Sequence, residues 1–515
     1  MQKIFQHIIL IMCSLLFITV FIFSFIYNSN VFYDDKPLLS TLFCILILFV
    51  WLLIYYFTTK KIKNVSRKKI IIFLISYFLI VLAIQVFILK QLSVNPSWDF
   101  GVVFYNAKDF VLTGTRSLYS YPEYFQLFPN NIMLFFLLVI FIKIGLIFNI
   151  EPLISGYIMN ILFIDLSIFF LYLTIKNKIN IKSAIFGLII TLFFLPIFLY
   201  TPIIYSDTLS LFIPILFVYL YSKIQKNDNK RNIIIFLFIG IALFLGKELK
   251  ITSLIIFVAI TIKYLINHFE IKKFFFLVFS VLIFLICEIS FKNFIVNNQQ
   301  FQFKIEGYEN IPVTHWIMMG VEDIDSDNTN RKSYGGYNEK DYELTKSYHT
   351  KKEAMIFNIN EYMNRVKKMG ILGYLKYLIR KAVNIWTDGY YYSNIKLLRQ
   401  PNHQDSLLYH FLFINPVTVT LLNAYSQGVS YAFILIVIIG AFIKLKSKNY
   451  DLDYLRLTLI GLFIFFLLWE NRSRYIFNYI PVFVLIIVNF YYIIYQKYEK
   501  MLTINFKNMN IITNA

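Results

Sequence analysis

Charge is what this chain has least of. Asp, Glu, Lys and Arg make up 15% of its 515 residues and hydrophobic residues 58%, whereas about a quarter of a soluble domain is charged. That composition cannot build a surface that faces water, so it excludes a soluble fold and calls for a polytopic membrane protein. Acids are the scarcer sign: 49 Lys and Arg stand against 29 Asp and Glu, a net charge of +20. In a membrane chain such an excess belongs to cytoplasmic loops, and no nucleic-acid partner is expected. Cysteine is scarce too. Cys13, Cys44 and Cys287 lie inside apolar runs without ligand-like spacing, which argues against a disulfide framework or a cysteine metal site. Neither a P-loop nor a Gly-x-Gly-x-x-Gly motif occurs, which argues against nucleotide hydrolysis and a nucleotide-sugar Rossmann site.

What the chain has is long apolar runs. At about 20 residues per crossing, they predict helices at 8–27, 38–58, 70–90, within 132–175, and at 183–203, 208–222, 232–247, 251–267, 274–291, 428–445, 455–470 and 477–496. The expected fold is all-α with about 12 crossings. Lys3 precedes the first run, but no A-x-A-like cleavage site follows, so that run is read as a helix and not a signal peptide. Lys60, Lys61, Lys63, Arg67, Lys68 and Lys69 mark a cytoplasmic loop. The polar stretch from Asn95 to Asn131 then falls outside, and both termini fall inside.

Lys176, Lys178 and Lys182 should also be inside. The run from Ile132 to Phe148 is therefore expected to lie along the outer surface, not to cross. The chain divides into a transmembrane module at 1–291 with an external loop at 91–131, an external segment at 292–410, and C-terminal helices at 411–515. Residues 370–386 have the pattern of a helix lying in the membrane interface, with Lys376, Arg380 and Lys381 gathered away from its apolar face. No internal repeat is evident, which weakens a transporter of duplicated halves.

The candidate chemistry clusters on the expected outer face. Asp99, in Trp98-Asp99-Phe100-Gly101, sits beside predicted membrane depth, where an acid is costly unless it pairs or does chemistry. Partly desolvated there, it suits a general base; the alternative is a helix cap. Tyr105 on the same segment is a candidate substrate contact. Asp207 either caps the following helix or assists Asp99. Lys247, Glu248 and Lys250 crowd one hairpin, where charges must be paired or hydrated. Glu470, Arg472, Arg474 and Tyr475 open the final hairpin; arginines there oppose the positive-inside trend and suit a phosphate, or anionic headgroups. His315 and Trp316 form a polar and aromatic island suited to a sugar or phosphate, or else a buried structural pair. Glu322, Asp323, Asp325 and Asp327 form an acidic run without EF-hand spacing, so no metal site is assigned.

In order, SWDFGVVFYNA, YFQLFPNN, IIYSDTLS, GKELKITSLI and ENRSRYIFNYIP resemble the GT-C superfamily of integral membrane glycosyltransferases, in particular the branch similar to protein mannosyltransferases and the aminoarabinose transferases of lipid A. The resemblance spans residues 95–481. It implies a hexose or pentose donor linked to polyprenyl phosphate, inverting transfer to an extracytoplasmic glycan, lipid or protein, and Asp99 as base. With such a donor, its phosphate is expected near Arg472, Arg474 and Lys247 or Lys250, with membrane lipids as surroundings and no cofactor, a divalent-metal requirement being left open. The chain departs from many relatives in a single Asp99 where they pair two acids, in Pro-Asn-Asn where they often have Pro-Pro-Leu, and in two extra leading helices. Lipid-linked sugar flippases and surface-polysaccharide ligases or polymerases are the competing readings.

Overall fold

The computed structural model describes residues 2–27, 35–61, 66–116, 123–225, 228–266, 271–301, 303, 310–322, 334–445 and 452–512. Among them there is no strand, only helices and one isolated bridge between Val94 and Pro401. Nine helices of the described residues are long and apolar enough to cross a membrane: Ile4–Phe23, Pro37–Lys60, Arg67–Leu92, Pro129–Ile147, Pro152–Lys178, Asn229–Leu249, Lys273–Asn297, Pro416–Ile443 and Ser473–Tyr498. The chain is an all-helical, polytopic membrane protein.

The count differs from the expected 12 for a physical reason. The run at 183–203 is not one helix: it breaks after Thr191 and resumes at Leu195–Leu199 with Pro196 in its first turn, since a proline cannot donate inside a continuing helix. The run at 208–222 likewise splits into Ser206–Leu209 and Phe212–Lys223. Pieces of 11 and 12 residues reach only about 16–18 Å. The helices Ile255–Ile266 and Asp453–Leu468, of 12 and 16 residues, are also shorter than a full span. Conversely, Pro129–Ile147, expected to lie on the surface, is long and apolar enough to cross and is half buried against the bundle.

Each long helix sorts its faces between protein and lipid. In Arg67–Leu92 the buried residues are Tyr77, Val81, Gln85, Ile88 and Leu92, spaced by three or four as one helical face requires; Ile72, Ile75, Leu79 and Phe87 stay exposed, as they would toward acyl chains. Gln85 donates to Asp165 at 3.0 Å, a polar clasp to the Pro152–Lys178 helix. The centre is aromatic: Phe17 meets Trp386 at 4.8 Å and Phe433 meets Phe483 at 4.4 Å.

Trp386 reaches that centre from the Lys351–Thr387 helix, which opens on a Thr350–Glu353 capping box. That helix bends at Gly370, whose φ of +64° only glycine adopts freely. After the bend, Ile371, Leu372 and Leu375 are exposed on the stretch expected to be an interfacial helix, 370–386. Lys381 departs from that expectation: it is buried, and donates to the carbonyl oxygens of Gly320 (2.7 Å), Leu467 (3.1 Å) and Trp469 (2.5 Å). A cation on the orphan carbonyls ending the Asp453–Leu468 helix is a favourable cap. Gly320 fits because a Cβ there would come 2.6 Å from the Leu468 oxygen.

Candidate functional site

The loop that leaves Arg67–Leu92 brings Asp99, and those that leave Asn229–Leu249 and Asp453–Leu468 bring Lys250 and Arg474 to Asp207, with Tyr205 between the two acids. Asp99 lies in the first turn of the Trp98–Thr113 helix, behind the N-cap residue Ser97, but its carboxylate is not spent on the cap. Tyr124 donates its hydroxyl to Oδ1 and Tyr205 to Oδ2, each at 2.9 Å. Asn131 donates in turn to the Tyr124 oxygen at 2.6 Å, so the YFQLFPNN segment orients the acid. Burial first, and Asp99 next, push both tyrosine hydroxyls well above their ordinary value, which keeps them donors. A carboxylate offers about four acceptor directions, and two are unused among the described residues on a half-buried Asp99. Trp98, beside it, holds φ at 47°, a strained left-handed conformation that persists only where its surroundings enforce it.

Tyr205 links this acid to a group of cations. Its ring lies 5.2 Å from the Arg474 guanidinium. Arg474 pairs with Asp207 at 3.2 Å, and the Lys250 ammonium takes the other Asp207 oxygen. Asp207 is 1% exposed. Burial alone would raise its carboxyl, but Lys250 and Arg474 outweigh it and hold the group below its ordinary value. Burial pulls the Lys250 ammonium down to about 8, with Asp207 opposing. Arg474 also stacks 4.8 Å from the Tyr475 ring; the Tyr475 hydroxyl donates to Glu470 at 2.5 Å, and Arg472 stands 3.6 Å from Glu470. The Asp99, Asp207, Lys250, Glu470, Arg472, Arg474 and Tyr475 positions singled out in the sequence are thus joined through shared partners. Asp207 grips cations and does not cap with its side chain.

Asp388 fixes the loop before the last helix. It accepts the Ser473 hydroxyl at 2.5 Å and the backbone N–H groups of Tyr390 and Tyr392 at 3.0 Å each. Tyr391 and Tyr392 hold φ at 49° and 66°, and the Tyr392 ring lies 5.0 Å beneath Arg472. The same segment brings in residues that sequence reasoning missed. Asn95 N–H bonds to Gln400 and Asn402 N–H to Ser93, both at 3.0 Å. That stitch sets Lys396 over the Trp98 ring at 2.9 Å and Arg399 at 5.7 Å. Lys396 is buried, and burial first, then Arg474 and Arg399, pull its ammonium well below the ordinary value against Asp99 and Asp207. Basic residues on an expected external segment were the available signal, the same one that flagged Arg472.

Other singled-out residues are engaged elsewhere. Lys247 pairs with Glu248 at 2.8 Å and with Glu288, which also holds Lys292 at 3.0 Å; its ammonium is committed to those acids and not to the Asp207 cluster. The buried His315 Nδ1 bonds the Thr345 hydroxyl at 2.8 Å, and burial pulls its ring down to about 4, leaving it neutral near pH 7. Trp316 stacks on Trp469 and tilts against Phe128, both at 6.3 Å. Tyr105 is exposed on the outer side of its helix, its ring 5.5 Å from Phe104. The acidic run at 323–327 lies outside the described residues, and among the described ones no three His, Cys, Asp or Glu side chains are grouped to hold a metal ion.

No curated protein and no solved structure matches the chain. Residues 1–492 match a family described as conserved hypothetical integral membrane protein, and with nearly the whole length covered, the chain belongs to that family.

Proposed function

We propose that the protein is a membrane glycosyltransferase that moves a sugar from a polyprenyl-phosphate donor to an acceptor outside the cytoplasm. One observation carries the reading: Tyr205 orients Asp99 with its hydroxyl and carries Arg474 on its ring, so a base and a phosphate-binding cation share one buried residue. Asp99 accepts the proton of the acceptor hydroxyl through an open lone pair. The acceptor oxygen bonds to the anomeric carbon as the bond from that carbon to the phosphate oxygen breaks, with inversion, and polyprenyl phosphate leaves. Arg474 and Lys250 meet the charge that grows on the phosphate, as preorganised donors do where charge develops, with Arg472 and Lys396 beside them. Asp207 is a positioning residue that sets both cations.

The test is transfer of labelled sugar from a synthetic polyprenyl-phosphate sugar by the purified protein. Asp99→Asn should lower the rate by about 10²–10⁴-fold, the usual worth of a general base, without weakening donor binding. Donor carried across sealed vesicles with no transfer would favour a flippase instead.

A further inference from the structure

Lys396, on the short Ser393–Leu397 helix, is 4% exposed, yet no acceptor among the described residues hydrogen-bonds or pairs with its ammonium. Its near neighbours are rings: Trp98 at 2.9 Å and Tyr205 at 5.6 Å. Asp99 and Asp207 attract it only from a distance, and burial, with Arg474 and Arg399, pulls it toward the neutral form. Ring faces hold a cation without neutralising it, and a buried cation without a counter-ion is costly. An arriving anion would keep it charged. One turn on, the Arg399 guanidinium lies 5.7 Å from the same Trp98 ring. The pair leads to the surface: Lys396 is buried, Trp98 half-buried, and Leu398, Arg399 and Gln400 are exposed. The backbone around it is held in place. Gln400 takes φ of 49° and Trp98 of 47°, strained conformations that the Asn95–Gln400 bond joins. Ser406 donates its hydroxyl to the Gln91 carbonyl at 2.7 Å, which pins the segment to the C-terminal end of the Arg67–Leu92 helix.

We infer that Lys396 and Arg399 hold a second anion, a phosphate carried by the acceptor, apart from the donor phosphate on Lys250 and Arg474; the acceptor assignment rests on the transfer proposed above. Lys250 and Arg474 share Asp207, whereas Lys396 and Arg399 share Trp98, the residue before the base. In a displacement with inversion the acceptor oxygen and the leaving phosphate oxygen lie on opposite faces of the anomeric carbon. A group held at Trp98, next to Asp99, therefore belongs to the molecule that gives up the proton. An ammonium and a guanidinium beside one ring suit the non-bridging oxygens of a phosphodiester. The acceptor class is then a hydroxyl compound that carries a phosphodiester, from a phospholipid headgroup or from a water-soluble phosphate polymer.

The purified full-length protein is given a synthetic polyprenyl-phosphate sugar and, in separate arms, phosphatidylglycerol, its water-soluble counterpart glycerophosphoglycerol, or the uncharged diacylglycerol and glycerol. KM for a phosphodiester acceptor should be about tenfold below that of its uncharged counterpart, the worth of one hydrogen bond to a charged group. A lower KM in the lipid arm assigns the phosphate to a headgroup, and one in the soluble arm to a polymer. Arg399→Glu, at an exposed position, should raise the phosphodiester KM about tenfold and remove the preference while donor KM stays the same; Lys396→Gln, in folded protein, should raise acceptor KM at least as much. Equal KM for charged and uncharged acceptors overturns the proposal, as does a rise in donor KM in Arg399→Glu in place of the acceptor's. Lipid retained without donor separates this site from the transferase reading: the unmodified protein should keep phosphatidylglycerol over diacylglycerol, and Arg399→Glu should not. Transfer in no arm with that preference intact contradicts the transferase reading and leaves the phosphate site standing; equal retention of the two lipids overturns the site whatever the transfer.

Discussion

The charges around Asp341 close on one another, whereas those around Asp207 do not. Arg365 grips both Asp341 oxygens at 2.6 and 2.8 Å, takes Glu361 at 3.0 Å, and caps the Val321 carbonyl at 2.8 Å. Burial alone would raise the Asp341 carboxyl, but Arg365 outweighs it and holds the group below its ordinary value. Every strong donor there has an acceptor, so the network is finished and serves the fold. Among the described residues around Asp207, the five cations Lys250, Lys396, Arg399, Arg472 and Arg474 stand against the four acids Asp99, Asp207, Asp388 and Glu470. All five of those cations rest on Trp98, Tyr205, Tyr392 or Tyr475 rings. Aromatic faces hold a cation in place without neutralising it. A cluster built that way is what the proposed phosphate-binding role calls for.

The contrast can be broken by substitution. Arg365→Met leaves Asp341 buried without its partner and should lower stability by about 3–5 kcal/mol, read by thermal unfolding, while the protein that remains folded transfers sugar at the normal rate. Arg474→Gln should show the reverse balance. Asp207 keeps Lys250, so the melting temperature should move less, but transfer should fall by about 10²–10³-fold, as when one transition-state donor is lost. A smaller effect follows from Lys250. Its ammonium is charged below about 8 and loses its proton as pH rises through that value, while a donor phosphodiester stays anionic throughout. Donor affinity should therefore fall about tenfold, the worth of one hydrogen bond to a charged group, on the alkaline side of pH 8, and Lys250→Arg should move that fall to higher pH. Tyr105→Ala, on an exposed position outside both clusters, should change stability by less than about 0.5 kcal/mol and leave transfer unchanged; a loss of donor binding there would extend the site along the Trp98–Thr113 helix.

Most long helices were legible because an uninterrupted apolar run longer than a bilayer has few other uses. Counting them failed where runs had the right composition but not the right continuity. Pro196 breaks one run, and Phe212–Lys223 is too short to span; the reading of Ile132–Phe148 as a surface segment rested on Lys176, Lys178 and Lys182 alone, while Pro129–Ile147 is long and apolar enough to cross. In the site, Asp99, Glu470, Arg472 and Arg474 stood out because charge beside an apolar run needs a reason. Tyr124, Tyr205 and Lys396 did not: tyrosines are common in this chain, and the lysine meets Trp98 only through the Asn95–Gln400 and Ser93–Asn402 stitch, a contact between segments some 300 residues apart. Lys247 was misplaced for the complementary reason. Its neighbour Lys250 joins Asp207, but three residues along a helix that ends at Leu249 point the two ammonium groups to different acids.

The account rests on Asp99 acting as a base beside a cation-held phosphate. The most direct measurement is the anomeric configuration and rate of sugar transfer from a synthetic polyprenyl-phosphate sugar by the purified protein and by Asp99→Asn. The account predicts inverted product from the unmodified protein and a loss of about 10²–10⁴-fold in the variant at unchanged donor affinity; retained configuration, or full activity in Asp99→Asn, would contradict it.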